Sequence, residues 1–238
     1  MQWLIDLGPR LNKAFIEGDR WKLYLQGLGT TIELTVVALI FGVLLGLMVA
    51  MVRTAHDQQR PGQRSFILGI INLLCRIYVT VIRGTPMMVQ LMIMGFVIFN
   101  SSNNFTAVGA LSLGINSGAY VSEIIRGGLM SLDQGQSEAG RSLGLNYMDT
   151  MRFIVIPQAF KAILPSLGNE FIVLLKDTSL ISTIAGKEMV YFARSITSRT
   201  YESMFPLLIV AVIYLIIVMI FSWLQSILER RLRQSDRR

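Results

Sequence analysis

Three stretches of this 238-residue chain carry no Asp, Glu, Lys or Arg: residues 34–52, 84–122 and 203–228, which are 19, 39 and 26 residues long. At about 1.5 Å of rise per helical residue, even the shortest covers roughly 28 Å, close to the hydrocarbon thickness of a bilayer. Runs of that length have no place on a water-facing surface, and a composition of 53% hydrophobic and only 16% charged residues agrees. The chain is read as an all-α polytopic membrane protein. This excludes a soluble enzyme, a nucleic-acid binder and a secreted disulfide scaffold, since the lone Cys75 permits no internal bridge.

The net charge of +7 is explained by position. Arg53, Arg60 and Arg64 come after the first apolar run, Arg141, Arg152 and Lys161 lie between later ones, and Arg230, Arg231, Arg233, Arg237 and Arg238 end the chain. The loop at residues 100–105 has no basic residue. By the positive-inside rule the three basic clusters face the cytoplasm and that loop faces out.

Residues 1–27 hold Asp6, Arg10, Lys13, Glu17, Asp19, Arg20 and Lys22, so they lack the apolar centre of a signal peptide and are expected to be retained. Trp3, Leu4, Leu7, Leu11, Ala14 and Phe15 fall on one helical face, which predicts a short helix lying in the outer interface. The first span is expected over residues 28–52, with Glu33 near its outer end, and residues 56–64 form a polar hairpin in which His56 is solvated. Residues 66–99 are too long for one straight crossing and break at Arg83-Gly84-Thr85-Pro86. Arg76 and Arg83 would each cost about 2.5 to 3.5 kcal/mol at the bilayer centre. Residues 66–83 are therefore placed partly along the cytoplasmic side, with the crossing beginning near Pro86 and the next at residues 106–129.

A fourth span starts after Pro157 and carries Glu170, Lys176 and Asp177, charges that persist at membrane depth only beside a partner or a wet cavity. Residues 179–199 are too interrupted for a span and pack on the outer side. The fifth span covers residues 204–228. The expected architecture is five transmembrane helices with the N-terminus outside and the C-terminus cytoplasmic: an interfacial segment at 1–27, a membrane domain at 28–228 with a cytoplasmic loop at 132–157, and a basic tail at 229–238 that anchors to anionic lipid. Gly42 and Gly46 form a small-xxx-small pair that predicts close helix packing.

That loop has more than twenty residues where a handful would turn the chain. Ser137 before Glu138 reads as a helix start, Gly144 as its left-handed cap, and Asn146 or Asp149 as the start of the next helix. The segment reads either as an exposed helix, turn and helix serving as a docking knob, or as a solvated connector.

The spacing Glu138-Ala139-Gly140, Gly144, Ile154 and Ile156-Pro157 resembles the EAA loop of ABC importer permease subunits, with Gly140 for the usual third Ala and Ile156 for the usual Leu. Arg83-Gly84-Thr85-Pro86, Ser117-Gly118-Ala119-Tyr120, Glu123-Ile124-Ile125-Arg126-Gly127-Gly128, Pro157-Gln158-Ala159, Gly168-Asn169 and Leu175-Lys176-Asp177-Thr178-Ser179-Leu180 are similar to the polar amino acid branch of that family. The resemblance implies a type I ABC importer permease fold in the bacterial inner membrane, paired with a second permease that is either the same chain or a paralogue. It also implies two copies of a cytoplasmic ATP-binding subunit and an extracytoplasmic binding protein. Glu138, Ala139, Gly140, Arg141 and Gly144 would dock on the ATPase. ATP and magnesium would belong to that partner, and this chain, which has no Gly-Lys-Ser or Gly-Lys-Thr phosphate loop, is expected to be neither an enzyme nor a cofactor carrier.

Glu170 and Asn169 lie about 12 to 14 Å beyond Lys161 along the helix, near the midplane. Asn116, Tyr120 and Glu123 form one polar stripe on the third span. Glu170, Asn169, Asn116, Tyr120, Lys176 and Asp177 are the candidate substrate residues. Glu170 reads either as a substrate contact or as an inter-helix lock; Glu123 is expected to pair with Arg126, and Lys176 with Asp177 or a neighbour. A cavity carboxylate favours a basic amino acid such as histidine, arginine or lysine, the alternatives being glutamine, glutamate or cystine. An ion-coupled secondary transporter is the rival class, but no internal repeat supports it.

Overall fold

The computed structural model describes residues 7–59 and 65–235, and every element within them is helical. Trp3, Leu4, Asp6, Arg60, Arg64, Arg237 and Arg238 fall outside the described residues. We number the α-helices α1 (Leu7–Phe15), α2 (Trp21–Asp57), α3 (Phe66–Gly84), α4 (Met87–Ile93), α5 (Phe105–Met130), α6 (Gln134–Ser142), α7 (Tyr147–Thr150), α8 (Ile156–Asp177), α9 (Met189–Thr200) and α10 (Met204–Ser235). A π turn, Met94–Ile98, continues α4, a second, Met151–Val155, leads into α8, and a 3-10 segment, Thr178–Ile184, extends α8.

Among the described residues three helical stretches have both the length and the apolarity to cross a membrane: Glu17–Asp57, Phe66–Gly84 and Met204–Leu232. Helix α5, with 26 residues, and α8, with 22, are long enough at about 39 and 33 Å but carry more polar side chains. The break expected at residues 83–86 is present: α3 ends at Gly84, Thr85 and Pro86 are extended, and α4 restarts at Met87. The helices on either side of the break differ in length. Helix α3 is itself span-length, with Phe66, Ile67, Leu73, Leu74 and Ile77 all more than half exposed, as lipid-facing side chains would be, whereas Met87–Ile98 is a short apolar helix. Arg76 and Arg83, the two cations of α3, lie 3.7 Å from Asp57 and Glu123.

The chain divides into two compact units, each built from several segments. The first comprises Met1–Ala38, Pro86–Leu113 and Ile172–Ser222. Its core joins Tyr24, Met189, Ala193, Ile196 and Val210. A methyl group on Gly27 would lie 2.7 Å from the Met189 Cα, so the absence of a side chain there lets α2 and α9 touch backbone to backbone. Residues 179–199, read as interrupted, are helical throughout most of their length: the 3-10 segment ends at Ala185 in the left-handed region, and Glu188 then caps α9.

The second unit comprises Leu39–Thr85, Gly114–Phe171 and Trp223–Arg238. Val49, Val79 and Ala119 form its core, with Leu45, Cys75, Tyr78 and Ile82 packed against them. The expected close packing of α2 is found against α5: a methyl on Gly42 would meet Ser117 Oγ at 2.7 Å, and one on Gly46 would meet Val121 Cγ1 at 2.7 Å. The Tyr78 hydroxyl donates to the Ile115 carbonyl at 2.5 Å.

A charge lattice ties α2, α3 and α5 in this unit. Glu123 pairs with Arg53 and, at 3.7 Å, with Arg83, and does not take the expected Arg126. Arg126 instead reaches Asp57 at 2.6 Å, which also meets Arg76 at 3.7 Å. Intra-helical spacing favoured the pair one turn away, but the cations of neighbouring helices come closer. His56 is corrected as well: it sits in the last turn of α2, mostly buried, 3.5 Å from Asp57.

Candidate functional site

Two sites take shape in the second unit. The first is the loop knob. Asp133 is the cap of α6, its carboxylate accepting from the Gly135 N–H at 2.9 Å, so the helix begins four residues before the expected Ser137 start. A carboxylate held this way satisfies one of the N–H groups that a helix start leaves unpaired. The C-terminal end agrees with expectation. Gly144 has φ of 82°, its N–H donates to the Arg141 carbonyl at 3.0 Å, and Leu145 N–H reaches the Gly140 carbonyl at 3.1 Å. That paired closure with a left-handed glycine is the Schellman cap. Asn146, and not Asp149, starts the next helix by accepting from the Asp149 N–H at 2.9 Å.

The loop is held rigidly enough to be a knob. Gly140 is buried, and a methyl there would lie 2.9 Å from Ile154 Cδ1 and 3.0 Å from Thr150 Cγ2, so the missing side chain seats α6 against the turn before α8. Gln158 donates to Gln136 at 3.2 Å, and the Tyr147 hydroxyl donates to Gln58 at 2.8 Å, tying the loop to α8 and to the chain just after α2. Pro157 lacks an N–H, and the π turn before it shifts the ladder so that Ile156 N–H bonds to Met151 O. Glu138, Ala139 and Arg141 are exposed, and Glu138 and Arg141 border a depression of about 540 Å³ with Ser137, Tyr147 and Thr150. Leu143 is 81% and Met148 70% exposed, beside the exposed Tyr147 and Phe153.

The second site surrounds Glu170 on α8. This carboxylate is only 8% exposed and accepts a 2.8 Å hydrogen bond from Ser117 on α5. It borders an open depression of about 540 Å³ together with Asn169, Ser166 and Pro165 of α8, Tyr120 and Ile124 of α5, and Gln225 and Glu229 of α10. Glu170, Asn169 and Tyr120 are thus brought together. Asn116 is buried one turn from Tyr120, outside that lining, and Lys176 and Asp177 belong to the first unit. The Arg83 guanidinium stands over the Tyr120 ring, 5.3 Å from its centre.

Sequence reasoning missed Ser117, Ser166, Gln225 and Glu229. Ser166, Asn169 and Glu170 stand at helical spacings of three and four, and Gln225 with Glu229 at four, so the polar faces were readable there. Among the described residues no cluster of three His, Cys, Asp or Glu is placed to hold a metal.

Residues 64–234 match the family described as the binding-protein-dependent transport system inner membrane component. The chain is 34% identical to the putative glutamine transport system permease protein GlnP of Rickettsia bellii over 97% of its own length and 98% of that protein. It is 35% identical to the L-cystine transport system permease protein TcyB of Bacillus subtilis, over 96% and 94% of the two chains. It is 36% identical to the arginine transport system permease protein ArtQ of the same organism, over 89% and 93%. In structure it superposes on a chain from the crystal structure of an amino acid ABC transporter with histidines, with a TM-score of 0.79, 42% identity and coverage of 88% and 94%. The MetNI methionine ABC transporter, at 18% identity and a TM-score of 0.74, shares the fold. The chain belongs to the binding-protein-dependent transport family, as a multi-pass component of the bacterial inner membrane.

Proposed function

We propose that this chain is the permease subunit of an ABC importer that carries a polar amino acid inward across the inner membrane. The observation that carries the proposal is the buried Glu170 carboxylate bordering an open depression of mixed lining between α5, α8 and α10. Ser117 already donates to this carboxylate, and an α-ammonium group or a basic side chain is the kind of ligand that complements its charge. Basic amino acids fit the site best, and the relative named for arginine and the neighbour solved with histidines support that choice. The relatives named for glutamine and cystine support a second reading, in which Glu170 meets only the α-ammonium of a zwitterion.

In this reading α2, the broken α3–α4 segment, α5, α8 and α10 make five crossings, with the N-terminus outside and the basic tail in the cytoplasm. The 132–157 loop docks on a separate ATP-binding subunit, two copies of which serve a pair of permeases. ATP and magnesium act there, not in this chain. A loaded external binding protein delivers the amino acid, ATP-driven closure of the ATPases moves the docked α6 knobs, and the cavity opens alternately to the two sides.

The test is Glu170→Gln in the assembled complex. Uptake of radiolabelled substrate is expected to fall at least tenfold, along with substrate-stimulated ATPase. Unchanged uptake and ATPase would show that Glu170 is a helix lock and not a contact.

A further inference from the structure

In the first unit, α1, α2 and α10 border an open groove of about 640 Å³, a volume within the range of small-ligand sites. Leu11 and Phe15, one turn apart, supply the wall from α1, and Trp21 and Leu25, also one turn apart, the wall from α2. The wall from α10 spans residues 205–213, about 12 Å of helix. The walls are braced against one another. Arg10 of α1 pairs at 2.7 Å with Glu202, two residues before α10, and its guanidinium stands 5.5 Å from the Phe205 ring centre. The Tyr24 hydroxyl of α2 donates to the Ala14 carbonyl of α1 at 3.2 Å, so its one polar atom is already satisfied.

Among the described residues the lining holds no charged side chain, no amide, and no Gly, Ala, Ser or Thr. Helices that seat on one another within a membrane use small or polar residues of that kind, and α2 does so farther along, where Gly42 and Gly46 meet Ser117 and Val121. A groove walled only by bulky aliphatic and aromatic side chains suits instead a flexible hydrocarbon chain, which offers no hydrogen bond and needs none. The walls also run on into the faces that α2 and α10, both long and apolar enough to cross the membrane, turn outward. Leu25, Ile32 and Val36 on α2 and Leu208, Val212 and Leu215 on α10 are all exposed, so the groove is continuous with the lipid-facing surface. We propose that it is a binding site for one acyl chain of a bilayer phospholipid. Trp21, the first residue of α2, stands where aromatic side chains mark the headgroup level, and the chain runs from there along α10. Held in this way the lipid fills the angle between the amphipathic α1 and the two spans.

The experiment uses the assembled complex purified in detergent, with Trp3→Phe and Trp223→Phe so that Trp21 is the sole tryptophan of this chain. Phosphatidylcholine brominated on its acyl chains is titrated in while Trp21 fluorescence is followed, and phospholipid retained after washing is counted by mass spectrometry. Quenching is expected to saturate, with one phospholipid retained per copy of the chain. Leu208→Phe with Val212→Phe, which fills the groove, should lower both signals about fivefold. Leu215→Phe with Met219→Phe, on the exposed face of α10 outside the lining, should leave both unchanged. Quenching that rises without saturating, or that is the same in the two double variants, overturns the site. No quenching in the otherwise native complex, together with loss of the second permease when the groove is filled, overturns it in favour of a protein occupant. Should the filled variant not assemble, the titration of the otherwise native complex still decides, because saturation separates a bound chain from bulk lipid.

Discussion

Gly144 shows how one residue shapes the loop between α5 and α8. Its φ of 82° lies in the region that costs an L-residue about 1–2 kcal/mol, and its N–H closes α6 onto Arg141. Gly144→Val should therefore leave the protein in the membrane at a normal level while lowering ATP-coupled uptake at least tenfold, as read by transport assay beside a membrane immunoblot. This cap was legible because a glycine three residues after an Arg in a short amphipathic segment has few other reasons to be there. The start of the same helix was not. Ser137 and Asp133 are both competent caps, and only the backbone, which holds Asp133 extended with its carboxylate on Gly135, decides between them. Glu170 was legible as an isolated charge on an apolar helix, whereas its donor Ser117 was not, because a Ser gains meaning only from what faces it on another helix.

At the scale of elements, charges on different helices pair across distances that spacing within one helix cannot reveal. Arg53 at the end of α2 is 12% exposed and depends on Glu123 of α5. Glu123→Gln should destabilise the complex by about 1–3 kcal/mol, between the limits for exposed and buried pairs, and the exchange Arg53→Glu with Glu123→Arg should restore part of the loss in thermal unfolding. Helix α9 carries a titrating cap. Burial pushes the Glu188 carboxyl up to about 7, against the N–H groups of Val190 and Tyr191, the Tyr214 hydroxyl and Arg194. Between its ordinary value of 4.5 and about 7 the folded form keeps a proton that the unfolded chain has released, so stability falls as pH rises through that window and is level above it. The melting midpoint of wild type should accordingly drop from pH 5 to pH 7.5, and Glu188→Gln should remove that component. The broken α3–α4 segment was legible from Gly84 and Pro86, but the partners of Arg76 and Arg83 were not, because Asp57 and Glu123 stand on other helices.

For the whole molecule, the family is carried by residues spread over most of the chain, and the resemblance seen in the loop is matched by relatives aligned from end to end. Charge placement argued the orientation, and the uncharged runs argued membrane residence. Helices α5 and α8 were legible as spans only through the placement of charge around them, since their own polar residues keep them out of the helices marked by length and apolarity alone. The central claim is that this permease moves an amino acid by coupling to a separate ATPase. Its most direct test is accumulation of radiolabelled arginine by proteoliposomes that contain the purified assembly with its binding protein outside. Accumulation should require ATP inside with the ATPase subunit present, and should persist when proton and sodium gradients are collapsed. Accumulation without ATP, driven by an imposed ion gradient and unaffected by loss of the ATPase subunit, would contradict the account and make the chain a secondary transporter.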